Sequence, residues 1–166
     1  ETRYLELKAL AQTASQRPTV IAGYAATRSV FETFGGRNQR AQLIADAGGR
    51  YALDDSTFVG SWWITGFERV YVRGAEAEIW IGAPPGVADI DAFLKSNPLH
   101  GWFKAVRERR VHVLDVGYKG AWAHHYEDQS MTKPHLLLAE TIAVLHPSLA
   151  AQATSQTDNF FLRTLQ

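Results

Sequence analysis

The chain reads as an α/β domain with a mostly parallel central sheet flanked by helices on both faces. Three observations predict this. Short β-branched apolar runs recur at 19–23, 78–82 and 111–114, the kind of segment that suits a strand buried on both faces. Stretches with apolar residues three or four apart lie between them, so strands alternate with helices. The chain has 166 residues, 46% hydrophobic and 20% charged, which is the balance of one ordinary globular domain or two very small ones.

The elements follow in order. Tyr4, Leu7, Ala11 and Ala14 mark one face of a helix over 1–14, which Pro18 ends because its ring forbids continuation. A strand at 19–23 follows, then the Gly35-Gly36 turn and a helix over 37–47 with Ala41, Ile44 and Ala47 inward. Gly48-Gly49 caps that helix where positive φ is needed. A strand at 51–53 precedes a loop at 54–56. The next helix, 67–73, turns Phe67, Val70 and Tyr71 inward and stops at Gly74. The strand at 78–82 ends at Pro84-Pro85, helices follow at 90–95 and 103–109, and 111–114 is the third clear strand. The longest late helix covers 130–145, with Leu138, Ile142 and Leu145 along a stripe. A polar linker at 151–159 and an apolar patch at 160–162 complete the chain.

Composition excludes several functions. Lys and Arg number 17 and Asp and Glu number 17, so the basic excess that marks a nucleic-acid binder is missing. The sequence has no cysteine, which removes zinc-thiolate sites, disulfides and thiol nucleophiles together. No apolar run approaches the roughly 18 residues that span a bilayer.

Open sheets of this class bind ligands beyond the carboxyl ends of their strands, which places the candidates at 24–34, 61–65 and 118–129. The first loop begins at Gly23 but has neither dinucleotide-fingerprint spacing nor a Walker lysine. Its Arg28 offers a fork to a carboxylate or phosphate, or is simply solvated. Trp62 and Trp63 give a large apolar platform for a bulky ligand, or one indole plugs the core. The cluster at 121–128 carries Trp122, His124, His125, Tyr126, Glu127 and Asp128. Adjacent histidines diverge and the spacing fits no zinc motif, so the cluster reads as a ligand-contact loop rather than a metal site. No nucleophile elbow is present, and Asp54-Asp55 reads as solvated turn charge. The expectation is a non-enzyme with no cofactor and no metal site. The alternative is a small α/β enzyme using residues His124 to Asp128 as an acid–base or metal site.

Four stretches carry a family resemblance, in order along the chain. They are the helix through Tyr4-Leu5-Glu6-Leu7-Lys8 leading into Arg17-Pro18-Thr19-Val20; Gly35-Gly36-Arg37-Asn38 with the helix up to Gly48-Gly49; Phe67-Glu68-Arg69-Val70-Tyr71 followed by Ala77-Glu78-Ile79-Trp80-Ile81; and His124-His125-Tyr126-Glu127 followed by Lys133-Pro134-His135 and Leu145-His146-Pro147. Together they resemble the C-terminal, Rossmann-like lobe of the substrate-binding proteins of iron-siderophore and cobalamin ABC importers. Tyr126 stands where many relatives carry Trp, and His124-His125 replaces an acid–aromatic pair. The resemblance implies the end of an inter-lobe helix at 1–16, a C-terminal α/β lobe at 17–150 and a tail at 151–166 that packs back on it. It implies a ferric-siderophore, haem or cobalamin-like ligand held against a missing N-terminal lobe. Tyr24, Arg28, Trp62, Trp63, Trp122 and Tyr126 would form this lobe's walls, with Arg28, Trp63 and Tyr126 foremost. Glu68 would dock on arginines of the ABC permease. The implied location is periplasmic or extracytoplasmic, with a cell-surface anchor where the organism lacks an outer membrane.

Overall fold

The computed structural model describes residues 1–27, 29–54, 59–84, 86–114, 132–154 and 161–166. A five-stranded sheet crosses the molecule in the order β4 (Arg50–Tyr51), β1 (Thr19–Ala22), β6 (Ile79–Ala83), β7 (Val111–Val113) and β8 (Arg163–Thr164). The first four strands are parallel; β8 closes the edge antiparallel to β7, with His112 opposite Thr164. Val20, Ile21, Ile79, Trp80, Val111 and Val113 are all fully buried. Central strands this apolar need helices on both faces, and the fold provides them.

On one face, Ile21 and its cross-strand neighbour Trp80 pack toward α3 (Phe67–Gly74) and α4 (Ile90–Ser96). Trp80 meets Phe93 and Phe103 edge-on, with ring centroids 5.2 and 5.0 Å apart. Phe103 leads into the short helix α5 (Lys104–Arg107). Gly74 approaches so closely that a Cβ there would stand 2.8 Å from Ile21 Cδ1. The other face carries α1 (Thr2–Ala11), α2 (Gln39–Asp46) and α6 (Pro134–Leu145), with α6 touching both others. The stripe expected on α6 is as drawn, with Leu138, Ile142 and Leu145 buried.

Several boundaries differ from the sequence expectation for local reasons. Helix α1 ends at Ala11, well before Pro18; the Thr13 hydroxyl donates to the Leu10 carbonyl at 2.7 Å and competes with further helix. Helix α2 starts at Gln39, not at 37, because the Asn38 side chain caps it by accepting from the Arg40 amide at 2.9 Å. Tyr71 was expected inward but is 36% exposed, lying edge-on to Trp102 and Phe103. The linker expected at 151–159 instead begins inside a short helix, α7 (Ala150–Ala153).

Asp46, nearly buried, ties α1 to α2: it accepts from Tyr4 (2.9 Å) and Gln42 (2.8 Å) and pairs with Lys8 (2.8 Å). Burial alone would raise its carboxyl, but the hydrogen bonds from Lys8, Gln42 and Tyr4 outweigh that and hold it below the ordinary carboxylate range.

The largest correction concerns 24–34 and 61–65, expected as loops. They form a second, antiparallel sheet of β2 (Tyr24–Ala25), β3 (Val30–Phe34) and β5 (Ser61–Thr65). Val-Phe-Glu-Thr-Phe and Ser-Trp-Trp-Ile-Thr are rich in β-branched and aromatic residues, which suits strands. The Thr27 hydroxyl accepts from the Ser29 and Val30 amides, at 3.2 and 3.1 Å, and shapes the turn between β2 and β3. Gly23 joins the two sheets with φ +121°, and a Cβ there would lie 2.2 Å from the Glu32 carbonyl oxygen, so only glycine fits.

Candidate functional site

A cavity of about 210 Å³ opens where the parallel strands end, lined by Ala22 at the end of β1 and Gly23 just after it, Ile81 to Ala83 on β6, and Leu114 after β7. Strands ending together here place backbone turns, not regular ladder, against the space, as open α/β sheets do. Gly82, with φ +89°, sits at the register shift between β6 and β7, and a Cβ there would come 3.5 Å from the Gly23 nitrogen. Gly23 is fixed on both sides: its N–H donates to the Ile81 carbonyl at 3.1 Å, and its carbonyl accepts from Trp80 Nε1 at 2.9 Å.

One wall comes from the second sheet, through Tyr24, Glu32, Thr33 and Phe34; the other comes from α2 and α6. Tyr24 and Glu32 are direct cross-strand partners, so their side chains share a face, and the Tyr24 hydroxyl donates to Glu32 Oε2 at 2.6 Å. That hydrogen bond, with burial, pushes the Tyr24 phenol up to about 12, while the charge of Arg40 pulls the other way. Arg40, in the first turn of α2, lines the same cavity. Behind this wall, the hydroxyls of Thr33, which lines the cavity, and of Tyr51, which does not, stand 2.5 Å apart and reach the Ala22 and Phe34 carbonyls at 2.6 and 2.9 Å. This pairing locks the second sheet to the first. Tyr51 is pushed up to about 12, chiefly by burial.

Of the residues expected from the sequence, Tyr24 lines the cavity. Trp62 and Trp63 lie on β5 opposite Thr33 and Glu32 in register, and their side chains fall outside the described structure. Arg28, Trp122, Tyr126 and the cluster His124 to Asp128 also lie outside the described residues. Glu68 is exposed in the first turn of α3 and takes no part in the cavity. Sequence reading missed Glu32 and Arg40. Glu32 was detectable as the polar position alternating within a β-prone run, and Arg40 as the residue two after a capping asparagine. Among the described residues, no group of three or more His, Asp or Glu could hold a metal ion, and no helix is long and apolar enough to cross a membrane.

No family model matches the chain, and no curated protein is a detectable relative. Solved structures do match. A TroA-like periplasmic binding protein, FepB, from Veillonella parvula superposes with a TM-score of 0.62 at 16% identity, over 99% of this chain and 54% of that one. A periplasmic haem-binding protein from Pseudomonas aeruginosa gives 0.57 at 21% identity, over 89% and 49%. The periplasmic haem-binding protein RhuT from Roseiflexus sp. RS-1 gives 0.59 at 20% identity, over 87% and 53%. The chain spans about half the length of these structures, and its fold is that of a lobe of the TroA-like periplasmic binding proteins.

Proposed function

We propose that this chain is the C-terminal lobe of the solute-binding component of an ABC importer, a carrier and not a catalyst. One observation carries the reading: nearly the whole chain matches about half of a periplasmic binding protein, and its cavity opens where such a fold binds ligands. The solute is an iron chelate, haem or a corrinoid, and the site of action is extracytoplasmic. Tyr24 lies on the cavity wall, and Arg28, Trp62, Trp63, Trp122 and Tyr126 supply the rest of this lobe's contribution to an inter-lobe cleft. Aromatic walls with a few charged anchors suit a bulky, partly apolar ligand with ionic edges.

The test is a calorimetric titration of haem, a ferric siderophore and cobalamin into this chain and into a two-lobed protein that carries it. Tight binding of one of them by the two-lobed protein, and binding weaker by roughly a hundredfold or more here, is expected when half the contact surface is lost. Equal affinities, or no binding of any of the three by the two-lobed protein, would reject the reading.

Glu68 is the docking residue in this scheme. Its exposure on the first turn of α3 supports a contact with permease arginines, a rim charge pair that sets orientation and on-rate. Glu68→Ala in the intact receptor is expected to leave solute affinity unchanged and to slow uptake, measured with radiolabelled solute in cells. Unchanged uptake with intact binding would remove this role.

A further inference from the structure

Exposed apolar side chains gather at one place on the surface. Among the described residues five large hydrophobic side chains are exposed, and three of them, Tyr71, Val72 and Trp102, stand together. The Trp102 ring lies edge-on to Tyr71 with centroids 5.6 Å apart, and Val72 is the next residue of α3. Single hydrophobics scattered over a surface are ordinary, whereas a contiguous group marks a contact site. Val72 is 82% exposed, so its side chain gains almost no burial from the fold, and valine is a poorer helix former than lysine or glutamine. Trp102 is steadied without being covered, because the Arg107 guanidinium donates to its carbonyl. An aromatic side chain already held in place loses little freedom on contact, and tryptophan and tyrosine are favoured anchors of protein interfaces.

Charge at the border of this patch says what covers it. Glu68 precedes Tyr71 by three residues and Val72 by four, so it lies on their side of α3, one turn earlier. It is exposed, and among the described residues its carboxylate makes no ion pair. Arg73 lies further round the helix and donates to the Asp54 carbonyl. An ion pair open to water contributes little by itself, and apolar contact that excludes water around it makes it count. We propose that Tyr71, Val72 and Trp102 are the apolar anchor of a docking surface whose charged member is Glu68, and that the partner presents a basic side chain ringed by apolar ones. This inference rests on the importer reading, under which that partner is the permease. None of the four residues lines the cavity, so docking and solute binding occupy separate places on this lobe.

The test is binding of the two-lobed receptor that carries this chain to its permease–ATPase complex in lipid nanodiscs, measured by surface plasmon resonance at low and at high salt. Trp102→Ala and Val72→Ser are each expected to weaken binding roughly tenfold, and equally at both salt levels, because the lost contact is apolar. Glu68→Gln should weaken it chiefly at low salt, where charge is least screened. Leu5→Ser changes a comparably exposed apolar position on α1, across the sheet from α3, and is expected to leave binding as in the parent. Patch variants that bind like the parent while Glu68→Gln does not would overturn the anchor and leave the docking reading standing. No binding of the parent at either salt level would reject the docking reading and the anchor with it. A receptor dimer that Trp102→Ala dissolves would give the patch to a second copy and also overturn the assignment.

Discussion

Gly23 sits at the point where one backbone serves three purposes. It follows directly on β1, begins the crossing into the second sheet and lines the cavity. Its positive φ and the 2.2 Å approach of a hypothetical Cβ to the Glu32 carbonyl oxygen both oppose any side chain. The obstacle is backbone, so no rotamer change relieves it. Gly23→Ala is therefore expected to destabilise the protein by on the order of 3 kcal/mol, read as a lowered midpoint in urea. A midpoint unchanged from the parent would show that the hairpin can shift without cost. Tyr24, next along, shows what the constraint achieves: the chain leaves Gly23 at an angle that sets the phenol beside Glu32.

At the scale of elements, the edge of the main sheet depends on one buried carboxylate. Glu140 in α6 accepts from the amides of Phe161 at 2.9 Å and Leu162 at 2.8 Å, just before β8. Hydrogen bonds to a charged group are the stronger kind, worth about 1.5–3 kcal/mol each. Glu140→Gln keeps the size but sets an amide donor against a backbone donor. It is expected to cost about 2 kcal/mol and to speed hydrogen exchange at Phe161 and Leu162 ahead of the central strands. Equal protection in the variant would mean that the buried side chains of Phe161, Leu162 and Leu165 hold the edge alone. The same contrast between local and distant partners decides what was legible beforehand. Strands β1, β6 and β7 and the stripe on α6 were readable, because burial on both faces and three-and-four spacing are written along the chain. β8 was not, since Arg163-Thr164 is a strand only because β7 lies beside it. The second sheet was missed for a related reason: β3 is alternately buried and half-buried against partners on either side of it, and those pairings have no local mark. Tyr24 could be picked from its place after a strand; Glu32 and Arg40 left only the weak local marks of a polar position in a β-prone run and a place beside a capping asparagine, and what brought them to the cavity was the meeting of β2, β3 and α2.

Across the whole molecule, three buried histidines share one response to acid. Burial lowers His100, His112 and His146, and for His112, which Arg110 also disfavours charging, the value reaches about 4. A base depressed in the folded state binds its proton more readily when unfolded, so stability falls as protons are added. The contribution is complete above the unfolded value of 6.5 and is lost progressively as the pH drops toward 4. From His112 alone this amounts to on the order of 3 kcal/mol. Urea unfolding between pH 7 and pH 4 should show this decline, and His112→Gln should flatten it; parallel profiles for parent and variant would exclude His112 as its source. Trp80 reports on the same interior in another way. Its indole is wholly enclosed and hydrogen-bonded to the cavity floor at Gly23, whereas Trp102 is 54% exposed. Emission from an enclosed indole falls on the blue side of the spectrum and resists aqueous quenchers. Anything that enters the cavity and displaces Gly23 is expected to perturb the emission of Trp80, a label-free optical gauge of occupancy at the cavity edge.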